Sequence, residues 1–288
     1  MHLKGFFNLA KKSIIAWKDD DASSLGASIA FYTAFSIAPL LIIVIAIAGF
    51  VWGEDAVRGE IIRQLGGLVG QEGASGVQSL LRSADKPAQG LTATIISVGI
   101  LIVGATTVFA ELQNALDKIW KAPARETISG IWSLLRARLL SFGLVLGLAF
   151  LLLVSMIIST LLAVMGQWTG GLLPGWELLM QALNTVVSVG IATVLFAAIY
   201  KFMPQVHIAW RDVWVGALVT AVLFEVGKFL IGLYVGKSAM ISSLTAAGSL
   251  VVVLVWVYYA AQIFLLGAEF TWIYANEHGS RSKSAPDQ

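Results

Sequence analysis

The chain has 288 residues, of which 58% are hydrophobic and only 12% charged, and its mean hydropathy is +0.83. A soluble domain carries about a quarter charged residues, so the composition selects a bilayer as solvent and excludes an ordinary soluble domain. The net charge of +2 excludes nucleic-acid binding through bulk charge, and the absence of cysteine excludes disulfides, thiol nucleophiles and thiolate metal sites.

The amino-terminal stretch MHLKGFFNLAKKSIIAW is interrupted by Lys11 and Lys12 and so lacks the apolar run of a signal peptide. Leu3, Phe7, Ala10, Ile14 and Trp17 recur at heptad distance, with Lys4, Lys11 and Lys18 beside them. This pattern predicts an interfacial helix over residues 1–20, apolar side in the acyl boundary and lysines at anionic headgroups. Packing of the same apolar side against a helix bundle is the competing reading. DDDASS follows, with Asp21 or Ser23 placed to cap the next helix. Ala46 and Ala48 imitate a cleavage site, but they follow an apolar run too long and too far along the chain. An uncleaved span is expected there.

Six segments are long and apolar enough to cross a hydrocarbon core, which takes about 20 residues of helix. They lie near 26–52, 91–111, 139–165, 183–203, 213–235 and 247–273. The predicted fold is therefore all-α: a polytopic membrane bundle of six transmembrane helices, forming one membrane domain over 1–275. Residues 53–90 make a large extramembrane loop, where VRGEIIRQLGGLVG and GVQSLLRSA predict two short amphipathic helices separated by glycines. The tail over 276–288 has a disordered composition.

Lysine and arginine orient the bundle. One side gathers Lys4, Lys11, Lys12, Lys18, Lys118, Lys121, Arg125, Arg136, Arg138, Lys201, Arg211, Arg281 and Lys283. The other has Arg58, Arg63, Arg82, Lys86 and Lys237. Both termini are expected in the cytoplasm, with the 53–90 loop in the periplasm.

Hydrolytic chemistry is hard to assemble. His2, His207 and His278 are scattered, and no H-E-x-x-H, Walker loop or G-x-S-x-G elbow accompanies them. No catalytic residue, metal site, cofactor or enzymatic activity is expected. What remains is polarity at membrane depth. Glu225 and Lys228 stand in the apolar run AVLFEVGKFLIGLY, three positions apart and therefore on one helix face. A charge at the bilayer centre costs about 2.5–3.5 kcal/mol on insertion scales, so both should turn inward. They are either a salt bridge that orients the helix or a polar site for substrate or protons. Ser28, Tyr32 and Ser36 recur every four residues in the first span and suggest an opposite wall, with Pro39 expected to kink the helix. Asn184 and Gln262 are candidates to extend the lining. Glu111, Glu269 and Arg138 fall at cytoplasmic helix ends, where interfacial ion pairs are expected.

Several segments resemble the YihY/BrkB family of inner-membrane proteins, once labelled ribonuclease BN. They are LGASIAFYTAFSIAPLL, LQNALDKIW, YKFMPQVHIAWRDVWVGALVTAVLFEVGKFLIGLYVG and AAGSLVVVLVWVYYAAQIFLLGAEFT, which with their spacing cover roughly 25–275. The resemblance implies six spans, both termini inside and a bacterial inner-membrane location. It also implies a role in envelope integrity, serum resistance or the export of lipid or lipopolysaccharide, and it carries the E-x-x-K pair of the fifth span. The reading expected from both sources is a transporter or flippase of an amphiphilic, anionic envelope molecule. Its alternative is a non-transporting scaffold for envelope biogenesis, with a membrane ribonuclease as a distant third. Membrane lipids are the expected partners, nucleic acid is not, and a homo-oligomer is left open.

Overall fold

In the computed structural model the described residues are 3–84, 91–123, 176–237 and 246–282, and all their regular structure is helical. We label the helices α1 (Leu3–Asp19), α2 (Ala22–Trp52), α3 (Glu54–Ala84), α4 (Leu91–Ile119), α5 (Trp176–Phe202), α6 (Trp210–Lys237) and α7 (Ala246–Glu277). The segment expected to span at 139–165 lies outside the described residues.

Among the described residues, three helices contain stretches long and apolar enough to cross a membrane: Ala22–Phe50, Ala182–Phe202 and Val251–Glu277. The spans expected at 91–111 and 213–235 are helical, within α4 and α6. Large apolar side chains point outward along them, among them Phe35, Phe50, Val186, Val226 and Val255. A helix hydrophobic on every side requires lipid or protein on every side, so these faces are built for hydrocarbon rather than water.

The packing order places α7 at the centre. α2 packs on α3, α4 and α7, while α6 packs mainly on α5 and α7. The main core joins Leu116, Ile119 and Trp120 of the α4 end to Tyr200, Ile208, Val213 and Leu265. Aromatic rings extend it, with Phe196 5.7 Å from Phe224 and Tyr200 5.2 Å from Phe264.

Three expectations about the elements are revised. The 53–90 loop is expected as two short helices, yet α3 runs unbroken through its glycines from Glu54 to Ala84. Gly73 and Gly76 are buried there. Packing of Val57, Val77 and Leu81 onto Ile45, Ala48 and Val253 outweighs the roughly 1 kcal/mol that each glycine costs a helix. Asp21 does occupy the position before α2, but at φ 60 and ψ 35 it makes no side-chain cap. A capping side chain needs the extended backbone region, and Asp21 instead turns the chain from α1 into α2. The tail expected to be disordered from 276 remains helical to Glu277. The following turn is tied down, with Ser280 N–H and Oγ donating to Asp212 and Arg281 donating to the His207 carbonyl. Pro39 lies inside α2, which continues past it to Trp52.

α1 binds the bundle through Leu9 and Ser13, each 1% exposed, a face absent from the heptad pattern. Leu9 packs with Phe270 and Ile273, and Ser13 Oγ donates to the Leu9 carbonyl at 2.8 Å. Trp17 packs against the main core. Phe7 and Ile14 remain outward, next to exposed Lys11 and Lys18.

Candidate functional site

Along α6 the buried positions Val213, Gly216, Ala217, Thr220, Ala221 and Gly227 form one continuous arc. With about 100° of rotation per residue, Lys228 falls within that arc, between Ala217 and Ala221, and Glu225 falls just past its edge, beside the exposed Leu218. Lys228 Nζ stands 2.7 Å from Glu225 Oε2, and the two side chains are 27% and 31% exposed, respectively. The pair is thus formed at i, i+3 as its spacing requires, and it is not closed over by the bundle.

The other polar residues read from the sequence do not collect around this pair. Ser28 is half-buried, Tyr32 exposed and Ser36 fully buried, so the three do not present one face. Four-residue spacing overshoots a 3.6-residue turn by about 40° each time, which carries the stripe around α2. α7 also stands between α2 and α6. Gln262 extends from α7 toward α2, where its Nε2 sits over Gly26 and donates at 3.4 Å to the Ser23 carbonyl. Asn184 is exposed near the start of α5, Glu111 is half-buried on α4, and Arg138 lies outside the described residues.

A second cluster forms where the α1–α2 turn, the end of α4 and the last turns of α7 meet. Glu269 is 0% exposed there, and its carboxyl shares a side-chain hydrogen bond with that of Asp20. The charges that act on it are those of Asp20, Asp19 and Lys121. Two like charges and one opposite charge around a desolvated carboxylate are a costly arrangement. Asp21 and Lys121, at φ 60 and φ 50, are the described non-glycine residues with positive φ, and they bracket this cluster. Such backbone costs about 1–3 kcal/mol and persists only where packing enforces it.

A cleft of about 390 Å³ opens beside the cluster. Asp19, Asp20, Lys12 and Lys121 give it charge, while Ile15, Trp272 and Ile273 give it an apolar wall. Lys12 is ion-paired with Glu277 at its rim, and Lys121 Nζ lies 4.4 Å from the centre of the Trp272 ring. Sequence reading missed this site because its parts come from three distant segments. In the sequence Lys121 registers only as a cytoplasmic-side charge, and Asp19 and Asp20 only as part of the DDDASS stretch before the first span.

The family model described as virulence factor BrkB matches residues 14–288. A UPF0761 membrane protein of Ralstonia nicotianae is 27% identical over 87% of this chain and 55% of its own length. One from a Psychrobacter species is 26% identical over 93% of this chain and 48% of its own. One from Pseudomonas paraeruginosa is 28% identical over 93% and 62%. The chain therefore spans about half to three-fifths of the length of these relatives. No solved structure matches. Because the family model covers all but the first 13 residues, the chain belongs to the BrkB family of membrane proteins.

Proposed function

We propose that the chain moves an amphiphilic, anionic envelope lipid or related molecule across the bacterial inner membrane. In this reading it crosses six times, with both termini on the lysine- and arginine-rich cytoplasmic side. The observation that supports it is the ion pair of Glu225 and Lys228 in an apolar helix, with roughly three-tenths of each side chain uncovered. Ionisable residues at membrane depth mark substrate and proton pathways, because a purely structural helix gains little from carrying them. Lys228 attracts the headgroup, and Glu225 balances it or exchanges a proton. Phe7, Ile14, Lys11 and Lys18 rest α1 on anionic headgroups. In proteoliposomes carrying a fluorescent anionic phospholipid, Glu225→Gln is expected to insert normally and to abolish movement between leaflets. Full movement by that variant overturns the reading.

The scaffold reading draws on the same pair. At 2.7 Å the two charges neutralise each other, which suffices for a helix whose task is only to be placed. It expects no lipid movement by the wild-type protein in the same vesicles.

A further inference from the structure

The cleft beside Glu269 carries charge of both signs, and this selects its ligand. We propose that it binds the head of an aminophospholipid, with the primary ammonium on Asp19 and Asp20 and the phosphate between Lys12 and Lys121. An anionic headgroup alone would meet Asp19, Asp20 and Glu277 as well as the lysines. A simple cation would meet the two lysines. A zwitterion answers both, and the apolar wall of Ile15, Trp272 and Ile273 supplies a surface for the start of its acyl chains. The volume of about 390 Å³ falls within the roughly 300–1,000 Å³ usual for small-molecule sites.

Glu269 couples the cleft to the buried interior through Asp20. It is wholly buried, and Asp20, which lines the cleft, is both its side-chain hydrogen-bond partner and one of the charges acting on it. An ammonium held on Asp20 therefore offsets the charge that Asp20 places beside Glu269. Lys121 supplies the sole cation acting on Glu269 among the described residues, and its contact with Trp272 keeps it at the wall. Its positive φ fixes the direction in which α4 delivers it. The ammonium must have N–H groups to donate, so a trimethylated head of the same net charge fits the electrostatics but not the hydrogen bonds. The site is separate from the α6 pair and stands whether or not the protein moves lipid.

The test is native mass spectrometry of the full chain in mild detergent, offered an equimolar mixture of short-chain phosphatidylethanolamine, phosphatidylcholine and phosphatidylglycerol. Phosphatidylethanolamine is expected to be retained about tenfold over the other two, the factor that one charge-assisted hydrogen bond carries. Asp19→Asn with Asp20→Asn should erase that preference while near-ultraviolet circular dichroism stays unchanged. Lys121→Gln, at an exposed position, should weaken phosphatidylethanolamine and phosphatidylcholine together and serves if the double variant does not fold. Free phosphoethanolamine should compete only at concentrations far above that of the lipid. Equal retention of the three lipids, a preference for phosphatidylglycerol, an unaltered preference in the double variant, or undiminished phosphatidylethanolamine retention by Lys121→Gln overturns the proposal. Displacement by free phosphoethanolamine at the lipid's own concentration overturns its assignment to a lipid. Glu225→Gln should keep the preference, so a failure of transport and a failure of this site are read separately.

Discussion

Thr220 and Thr271 join α6 to α7 by making the same contact in opposite directions. Thr271 sits over Gly216 of α6 and donates to the carbonyl of Gly267 in its own helix at 2.6 Å. Thr220 sits over Gly267 of α7 and donates to the carbonyl of Gly216 at 2.8 Å. Each hydroxyl donates within its own helix and turns its oxygen to the bare backbone of the facing glycine, and Thr220 Oγ1 also lies 3.1 Å from the Tyr200 hydroxyl. Close approach of small residues is how helices associate in lipid, where no hydrophobic force drives them together.

Filling either glycine should loosen this pair. A Cβ on Gly267 would lie 1.9 Å from Thr220 Oγ1 and 2.7 Å from the Tyr200 hydroxyl. Tyr200 is itself committed, donating to the Phe264 carbonyl at 2.7 Å. Gly267→Ala is expected to cost about 1–3 kcal/mol, the range for overpacking a filled core. The readout is a lower unfolding midpoint by tryptophan fluorescence in detergent. Adding Thr220→Ala removes the nearest clash and should recover part of the loss, because residues in contact are energetically coupled. Additive losses would show that the two helices are not held here.

Much of this was legible in the residues themselves. The apolar lengths of α2, α5 and α7 follow from composition, and the Glu225–Lys228 contact follows from i, i+3 spacing alone. What escaped is whatever depends on a neighbour far along the chain. Gly73 and Gly76 read as breaks because their burial is set by α3 folding back on α2 and α7. Leu9 and Ser13 escape a heptad reading because α1 is packed by one face and left bare on another. The Glu269 cleft is invisible because Asp19, Lys121 and Trp272 share no local pattern.

The turn after α7 should act as a clasp on the start of α6. Asp212 is 0% exposed and takes the Ser280 N–H at 3.1 Å and the Ser280 hydroxyl at 2.5 Å. Arg281 then lies 5.2 Å from the centre of the Trp120 ring, tying the α4 end to the same knot. Asp212→Ala is expected to cost about 1.5–3 kcal/mol, the worth of hydrogen bonds to a charged group. Trypsin should then cut after Arg281 several times faster, since local opening governs cleavage when it is rapid. An unchanged cleavage rate would mean that the clasp does not hold this segment.

Gly26 and Gln262 should show a coupling of a different kind. A Cβ on Gly26 would meet Gln262 Nε2 at 2.0 Å, the far end of a flexible side chain. Gly26→Ala therefore displaces an amide rather than a backbone, and its cost should fall below that of Gly267→Ala. In a Gln262→Ala background the same substitution should become nearly neutral, or stabilise through its higher helix propensity. Equal costs in the two backgrounds would place the contact elsewhere.

The last prediction separates the two readings of the α6 pair. Lys228 lies one turn beyond Glu225 toward the Lys237 end of the helix, and its long stem lets the ammonium reach for the interface when unpaired. Glu225 has no such reach. Removing the lysine should therefore harm insertion more than removing the glutamate, by up to the roughly 2.5–3.5 kcal/mol of a central charge. The measurement is the yield of membrane-inserted protein for Lys228→Met against Glu225→Gln, with the double variant recovering most of the loss. Reversing the pair, Glu225→Lys with Lys228→Glu, keeps mutual neutralisation and should restore insertion as well. A transport site is then in the wrong order for its headgroup, so lipid movement in vesicles should stay absent although the protein inserts. A reversed pair that moves lipid at the wild-type rate would show that α6 needs only a neutral pair and not a directed one.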